Sequence, residues 1–134
     1  MEVYRLSLFS FDLAWYDVSK LIRDKRTLSL ADQLNRALGS ISANIAEGYS
    51  RQSGKDQARF YEYAFGSTRE TRNWYYQGLH ILTDAVTNHR MQLMTQIIRL
   101  LLAIIPAQRG HKLEEETHDY SSISAELLNH PPKT

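Results

Sequence analysis

The 134-residue sequence predicts an all-α fold, an up-down antiparallel four-helix bundle. Three observations predict it. Proline is absent before Pro106, so nothing interrupts long helices. Apolar residues recur at three- and four-residue spacing in four successive segments. Strand-type alternation between turn signals is hard to find. The chain is 43% apolar and 23% charged, which suits one domain, and it lacks cysteine, which excludes disulfides and thiolate metal sites. The bundle is expected over 1–109 and an acidic, flexible tail over 110–134.

The first helix is expected from about Phe11 to Asp24, with Ser10 as N-cap and Asp12 favoured by the helix dipole. Phe11, Ala14, Trp15, Val18, Leu21 and Ile22 make its apolar stripe. Lys25 to Ser29 breaks the pattern, and Ser29 can cap the second helix, about Leu30 to Tyr49, whose stripe is Leu34, Leu38, Ile41 and Ile45. Small residues beside that stripe, among them Ala37, Ala43 and Gly48, allow a neighbouring backbone to come close. After the polar turn 50–54, Ser53 caps a long third helix, about Lys55 to Ala85, with Asp56 placed to complete a capping box. Phe60, Ala64, Ser67, Thr71, Trp74, Gly78 and Leu82 mark its inner face. Gly66 and Gly78 lie inside it, and tight helix crossing is the expected reason.

The fourth helix, about Asn88 to Gln108, is apolar around nearly its whole girth from Ile97 onward, with Arg99 as the exception. Such a helix must be covered on all sides. The sequence therefore predicts a second partner surface, most economically another copy of the chain. The tail carries Glu114, Glu115 and Glu116, and a short helix is expected around Ser122 to Asn129. A membrane-spanning helix needs roughly 20 apolar residues. None is read from the sequence, and Met1 to Ser10 lacks the pattern of a signal peptide.

The net charge is +1, but it is unevenly spread. Residues 1–112 carry 15 Lys/Arg against 10 Asp/Glu, whereas 113–134 carry Lys133 against five acids. Eleven of the 16 basic residues are arginine, the planar donor suited to phosphate. Arg36, Arg51, Lys55, Arg59, Arg69 and Arg72, on the second and third helices or the turn between them, are the candidate nucleic-acid contacts. Tyr61, Tyr63 and the run Trp74-Tyr75-Tyr76 supply aromatics among these arginines. Neighbours on a helix point about 100° apart, so Trp74 and Tyr76 cannot form one stacking platform.

No catalytic residue is expected. Zinc-protease, phosphate-loop and nucleophile-elbow motifs are missing. His80, Asp84 and His89 form the best metal-like spacing, but they read as two solvated positions and a helix-start histidine. Neither a metal nor a cofactor is expected.

Two boxes carry a resemblance. The first is Ser40-Ile41-Ser42-Ala43-Asn44-Ile45-Ala46-Glu47-Gly48, followed by Arg51; the second is Gly66-Ser67 with Glu70, preceded by Phe60 and Ala64. Together they resemble the four-helix-bundle family named after 23S rRNA intervening sequences, over about residues 10 to 109. Ser42 departs from the proline common in that box, and Trp74-Tyr75-Tyr76 is unusually aromatic. The chain is similar also to accessory proteins of diversity-generating retroelements. That resemblance implies a cytoplasmic, ring-like homo-oligomer, a pentamer, with a basic surface for RNA or DNA and a reverse transcriptase or other protein as partner. The alternative is a protein-interaction scaffold that does not bind nucleic acid. Physically, Asn44 beside the Ile41/Ile45 stripe needs hydrogen-bond partners. Asn44, Glu47, Ser67 and Glu70 are expected to fix helix register.

Overall fold

The computed structural model describes residues 1–108, 127–129 and 132. Its elements are α1 (Glu2–Leu21), α2 (Leu28–Ser50), α3 (Gly54–Gln77), the single turn α4 (Leu79–Leu82) and α5 (Asp84–Gln108). Residues 127–129 are also helical, and no strand occurs among the described residues. The fold is thus all-helical, with more helical pieces than the four expected. α2 packs most extensively on α3, α3 on α5 and α1 on α2, while α1 and α5 share a shorter seam. The expectations for residues 110–126 lie outside the described residues.

α1 begins nine residues earlier than its expected start. Ser10 is not a cap: it is buried mid-helix, and its hydroxyl donates to the Leu6 carbonyl at 2.8 Å. The inward face is Val3, Leu6, Ser7, Ser10, Leu13, Ala14, Asp17 and Leu21. Of the expected stripe only Ala14 and Leu21 are buried, whereas Trp15 is 76% exposed and Phe11 and Ile22 are exposed too. The core side of α1 is diluted by two serines and an aspartate, so apolar periodicity selects the outer side. The result is a second stripe, Met1, Tyr4, Leu8, Phe11, Trp15, Val18 and Ile22, at alternating three- and four-residue spacing along the outside of the helix.

The α1–α2 turn is built by Asp24. It accepts from the Arg26 backbone N–H at 2.8 Å and from the Arg26 Nε and Nη2 at 3.0 and 2.7 Å. These bonds hold the Asp24 carboxyl down at about 2. Thr27, not Ser29, stands at the N-cap of α2, and its hydroxyl donates to the Leu21 carbonyl at 2.6 Å, tying off α1 instead. The α2 stripe Leu34, Leu38, Ile41 and Ile45 is fully buried, as the spacing predicts. At α3 Ser53 is the cap, accepting from the Asp56 N–H at 3.1 Å. Gly54 sits against the carbonyl of Gln108, so the far end of α5 rests on the start of α3.

The third helix is shorter than expected. It ends at Gly78, and after the one-turn α4 the chain reverses at Thr83, a β-branched residue at φ 83°. α5 therefore starts at Asp84, four residues early. By length and composition α5 is apolar enough to cross a bilayer, contrary to the sequence reading, but a core helix passes the same test. Leu93, Met94, Ile97 and Leu101 are wholly buried in the common core. Leu100, Ile104 and Ile105 are partly buried against it, which leaves Leu102 as the one large apolar side chain of α5 that is exposed among the described residues. The fold covers most of the girth that the sequence assigned to a second chain.

The glycines separate two mechanisms. A Cβ on Gly48 would lie 2.6 Å from the ring of the buried Tyr61 and 3.2 Å from the Gln57 carbonyl, so α2 and α3 touch there through the missing side chain. A Cβ on Gly66 would meet nothing within 4 Å, so helix crossing does not account for it. Gly48→Ala is expected to destabilise the fold by about 1–3 kcal/mol through overpacking. Gly66→Ala is expected to stabilise it by up to about 1 kcal/mol through helix propensity. Urea denaturation of the two variants should give opposite signs.

Candidate functional site

The two boxes meet across the α2–α3 contact, but only in part. The Asn44 Nδ2 donates to the Ser40 carbonyl at 2.8 Å and to the Ser40 hydroxyl at 3.0 Å. The Ser40 hydroxyl lies 2.9 Å from that of Ser67 on α3. Asn44 thus reaches Ser67 through Ser40, not directly as the register argument supposes. Gly48 closes the same interface one turn on. Glu47, Gly66 and Glu70 face outward instead. Glu47 makes a 3.7 Å ion pair with Arg51, an exposed contact that adds little stability.

The six basic candidates separate into three places. Arg36 is exposed on α2 and paired with Asp32 at 3.0 Å. Arg51, Lys55 and Arg59 gather at the α2–α3 turn, where the guanidinium groups of Arg51 and Arg59 lie 4.6 and 5.1 Å from the Phe60 ring centre. Phe60 meets Tyr63 edge-on at 5.7 Å. Arg59 also lies 3.8 Å from Asp56. Arg69 and Arg72 are about three turns further along α3. They line a shallow groove of about 600 Å³ with Gly66, Glu70, Asn73, Tyr76 and Met91. Arg69 lies 5.8 Å from the Phe65 ring centre, and Arg72 donates to Thr95 on α5 at 3.4 Å. Neither forms an ion pair with the described residues. Within the aromatic run Tyr75 is buried, Trp74 half-buried and Tyr76 60% exposed, so only Tyr76 presents its ring to the groove.

Lys55, Arg59, Glu62, Gly66, Arg69, Asn73 and Tyr76 follow one another at alternating four- and three-residue steps. They form a single outward track along α3. It offers guanidinium groups for phosphate, an amide and tyrosine for bases, and at Gly66 a bare backbone. The track bears cations and stacking surfaces but no nucleophile paired with a base.

A second polar centre escapes the sequence analysis. Asp17 on α1 is 0% exposed and Arg90 on α5 is 1% exposed. The Arg90 Nε and Nη2 donate to the two Asp17 oxygens at 2.8 and 3.1 Å, and the Tyr75 hydroxyl donates to Asp17 Oδ2 at 2.7 Å. Burial first, then the adjacent carboxylate, pushes the Tyr75 hydroxyl well above its ordinary value. The remaining Arg90 nitrogen, Nη1, donates to His89 Nδ1 at 2.8 Å and to the Pro132 carbonyl at 2.9 Å. His89 Nε2 lies 3.0 Å from the Leu127 carbonyl. His80 and Asp84 stay exposed, apart from this buried histidine, and no cluster of three metal-ligating side chains occurs among the described residues. Asp17 stands one turn from Leu13 and Leu21, and Arg90 between Val86 and Met94. Opposite charges on two buried stripes were the available signal.

Comparison with protein families finds a match over residues 1–103 to the model described as 23S rRNA-intervening sequence protein. Among solved structures, the chain is similar to a protein with unknown function from the S23 ribosomal protein family of Bacteroides thetaiotaomicron VPI-5482. The two share 25% identity at a TM-score of 0.72, covering 77% of this chain and 97% of that one. No curated protein matches.

Asp17→Asn leaves the Arg90 charge buried and uncompensated, and is expected to cost about 3–5 kcal/mol. Replacing the pair by Asp17→Leu with Arg90→Met is expected to cost less than that single change. Urea titration of both checks the ordering.

Proposed function

Taking as premise that the chain belongs to the 23S rRNA-intervening sequence protein family, we propose that it is a non-enzymatic homo-oligomer that binds RNA or DNA along the outer track of α3. The observation that carries this reading is the groove at Gly66, where Arg69, Arg72, Asn73 and Tyr76 converge. Arginine that makes no ion pair among the described residues, beside an exposed tyrosine, suits a phosphate and an unstacked base. Arg51, Lys55 and Arg59 extend the same track toward the α2–α3 turn. Arg36 lies on α2 and is an auxiliary contact.

Self-association is supported by α1 more than by α5. The stripe Met1, Tyr4, Leu8, Phe11, Trp15, Val18 and Ile22 has the spacing of a helix-packing seam; Tyr4 and Val18 lean partly on the core, while Met1, Leu8, Phe11, Trp15 and Ile22 stay exposed among the described residues. A closed ring places α3 tracks from several copies side by side and multiplies their charge. Five copies is the number that the resemblance implies. The reading also takes the protein to be cytoplasmic, where RNA is found.

The α1 stripe also favours a second reading, an accessory or scaffold subunit whose exposed seam is covered by another protein, such as a reverse transcriptase. Light scattering distinguishes the two. The self-assembly reading expects a multiple of 15.5 kDa for the wild type and a fall toward 15.5 kDa for Trp15→Glu. A wild-type monomer overturns self-assembly and leaves the seam to a different partner.

Fluorescence anisotropy with labelled single-stranded RNA tests the α3 track. Affinity should fall with salt, with a slope of about −0.7 per neutralised phosphate. Arg69→Ala with Arg72→Ala should weaken binding and flatten that slope by roughly one to two contacts. No binding at low salt overturns the nucleic-acid reading.

A further inference from the structure

Resting on the nucleic-acid reading of the α3 track, we propose that the groove at Gly66 takes one unpaired guanine base, whose N1–H and N2–H both donate to the Glu70 carboxylate. The groove holds an acid where phosphate contacts call for none. Glu70 lines it together with Arg69, Arg72, Asn73 and Tyr76 of α3 and Met91 of α5. Charges that pair along a helix stand three or four residues apart. At those distances from Glu70 stand Gly66, Ser67, Asn73 and Trp74, none of them cationic. Glu70, Arg69 and Arg72 accordingly enter no ion pair among the described residues. A ligand that satisfies all three must bring an anion for the arginines and N–H donors for the carboxylate. A nucleotide with a donor edge brings both.

The backbone makes room for such a base. A long helical side chain leans toward the helix N-terminus and covers the turn before its own Cα. For Glu70 that turn is the one at Gly66. A Cβ on Gly66 would meet nothing within 4 Å, so no packing contact demands the glycine, although glycine weakens a helix interior. What the glycine leaves is clear space beside the carboxylate. The groove, about 600 Å³, falls in the range of small-ligand sites. Tyr76, 60% exposed, offers a ring for the base to stack on, and the Asn73 amide can donate to the guanine O6. Arg69 and Arg72 remain for the flanking phosphates.

Guanine is the base whose pairing edge sets two N–H donors side by side. Adenine and cytosine each offer one amine beside a ring-nitrogen acceptor, and uracil sets its one N–H between two carbonyls. Each of these turns a lone pair toward the second carboxylate oxygen. In a duplex the guanine N1–H is already engaged, so the groove rejects paired strands. The Glu70 charge also opposes the phosphates of a strand that cannot use it, which sharpens the choice.

Fluorescence anisotropy of the full chain with labelled oligouridylate, with and without one central guanine, tests the groove. The guanine should tighten binding about five- to tenfold. Inosine in its place keeps N1–H but lacks the amine, and should give back most of that gain. A guanine analogue with carbon at position 7 keeps the donor edge and should bind like guanine. A complementary strand should abolish the preference. Glu70→Gln should lose the preference while binding plain oligouridylate equally or more tightly, and Gly66→Leu should lose it by filling the space. The same series in DNA separates the two carriers of the base: an equal preference places the reading on the base edge alone, and a preference confined to RNA adds a contact to the 2′-hydroxyl. Equal binding of the guanine, inosine and plain oligomers, a loss with the position-7 analogue, or a Glu70→Gln variant that keeps the preference overturns the proposal and leaves the nucleic-acid reading standing. Failure of every oligomer to bind at low salt overturns both.

Discussion

Asp17 brings a charge from α1 into the centre of a small helical fold, and two other helices are arranged to answer it. A carboxylate out of water is tolerated only when paired and hydrogen-bonded throughout. Here α5 supplies the fork of Arg90 and α3 the hydroxyl of Tyr75. These bonds are directional, whereas the surrounding contacts of Leu13, Leu21, Met94 and Ile97 are not. Apolar packing gives the core its cohesion, and the ionic centre selects one rotation of α1 against α5. The shared seam of those two helices is short, so this selection matters most there.

That constraint explains the distribution of surface. With Asp17, Ser7 and Ser10 inward, the large residues of α1 are turned out. The outer stripe is the geometric complement of a polar core face. α3 does the reverse: its inner side holds Tyr61, Ala64, Thr68, Thr71 and Tyr75, and its outer side carries cations and a bare glycine. One surface of the molecule thus suits apolar partners and another suits anions, on helices that are not neighbours in the strongest contacts.

Much of this is legible in the sequence. The core face of α2 is legible because it is purely aliphatic, and among the small residues beside it Gly48 is a real contact against Tyr61, whereas Ala43 is exposed. The Ser53 cap was legible because capping is local. At α1 periodicity points to the wrong side, because it records where apolar residues lie and not which side is covered. The break at Thr83 was invisible, since nothing in a threonine announces a positive φ. The outward track was partly legible, as its residue types were identified but not their common line. The Asp17–Arg90 centre and its link to Leu127 join residues 73 and 38 positions apart, beyond the reach of any helical period.

The two tryptophans end up in unlike settings. Trp15 stands in solvent on the α1 seam, while Trp74 is half-buried with its indole nitrogen shielded. Their fluorescence therefore divides into a wet, red-shifted component and a drier one. Only the first changes when something covers α1. The chain thus carries an intrinsic optical gauge of its own seam, with a built-in reference on α3, and no attached dye is needed to read it.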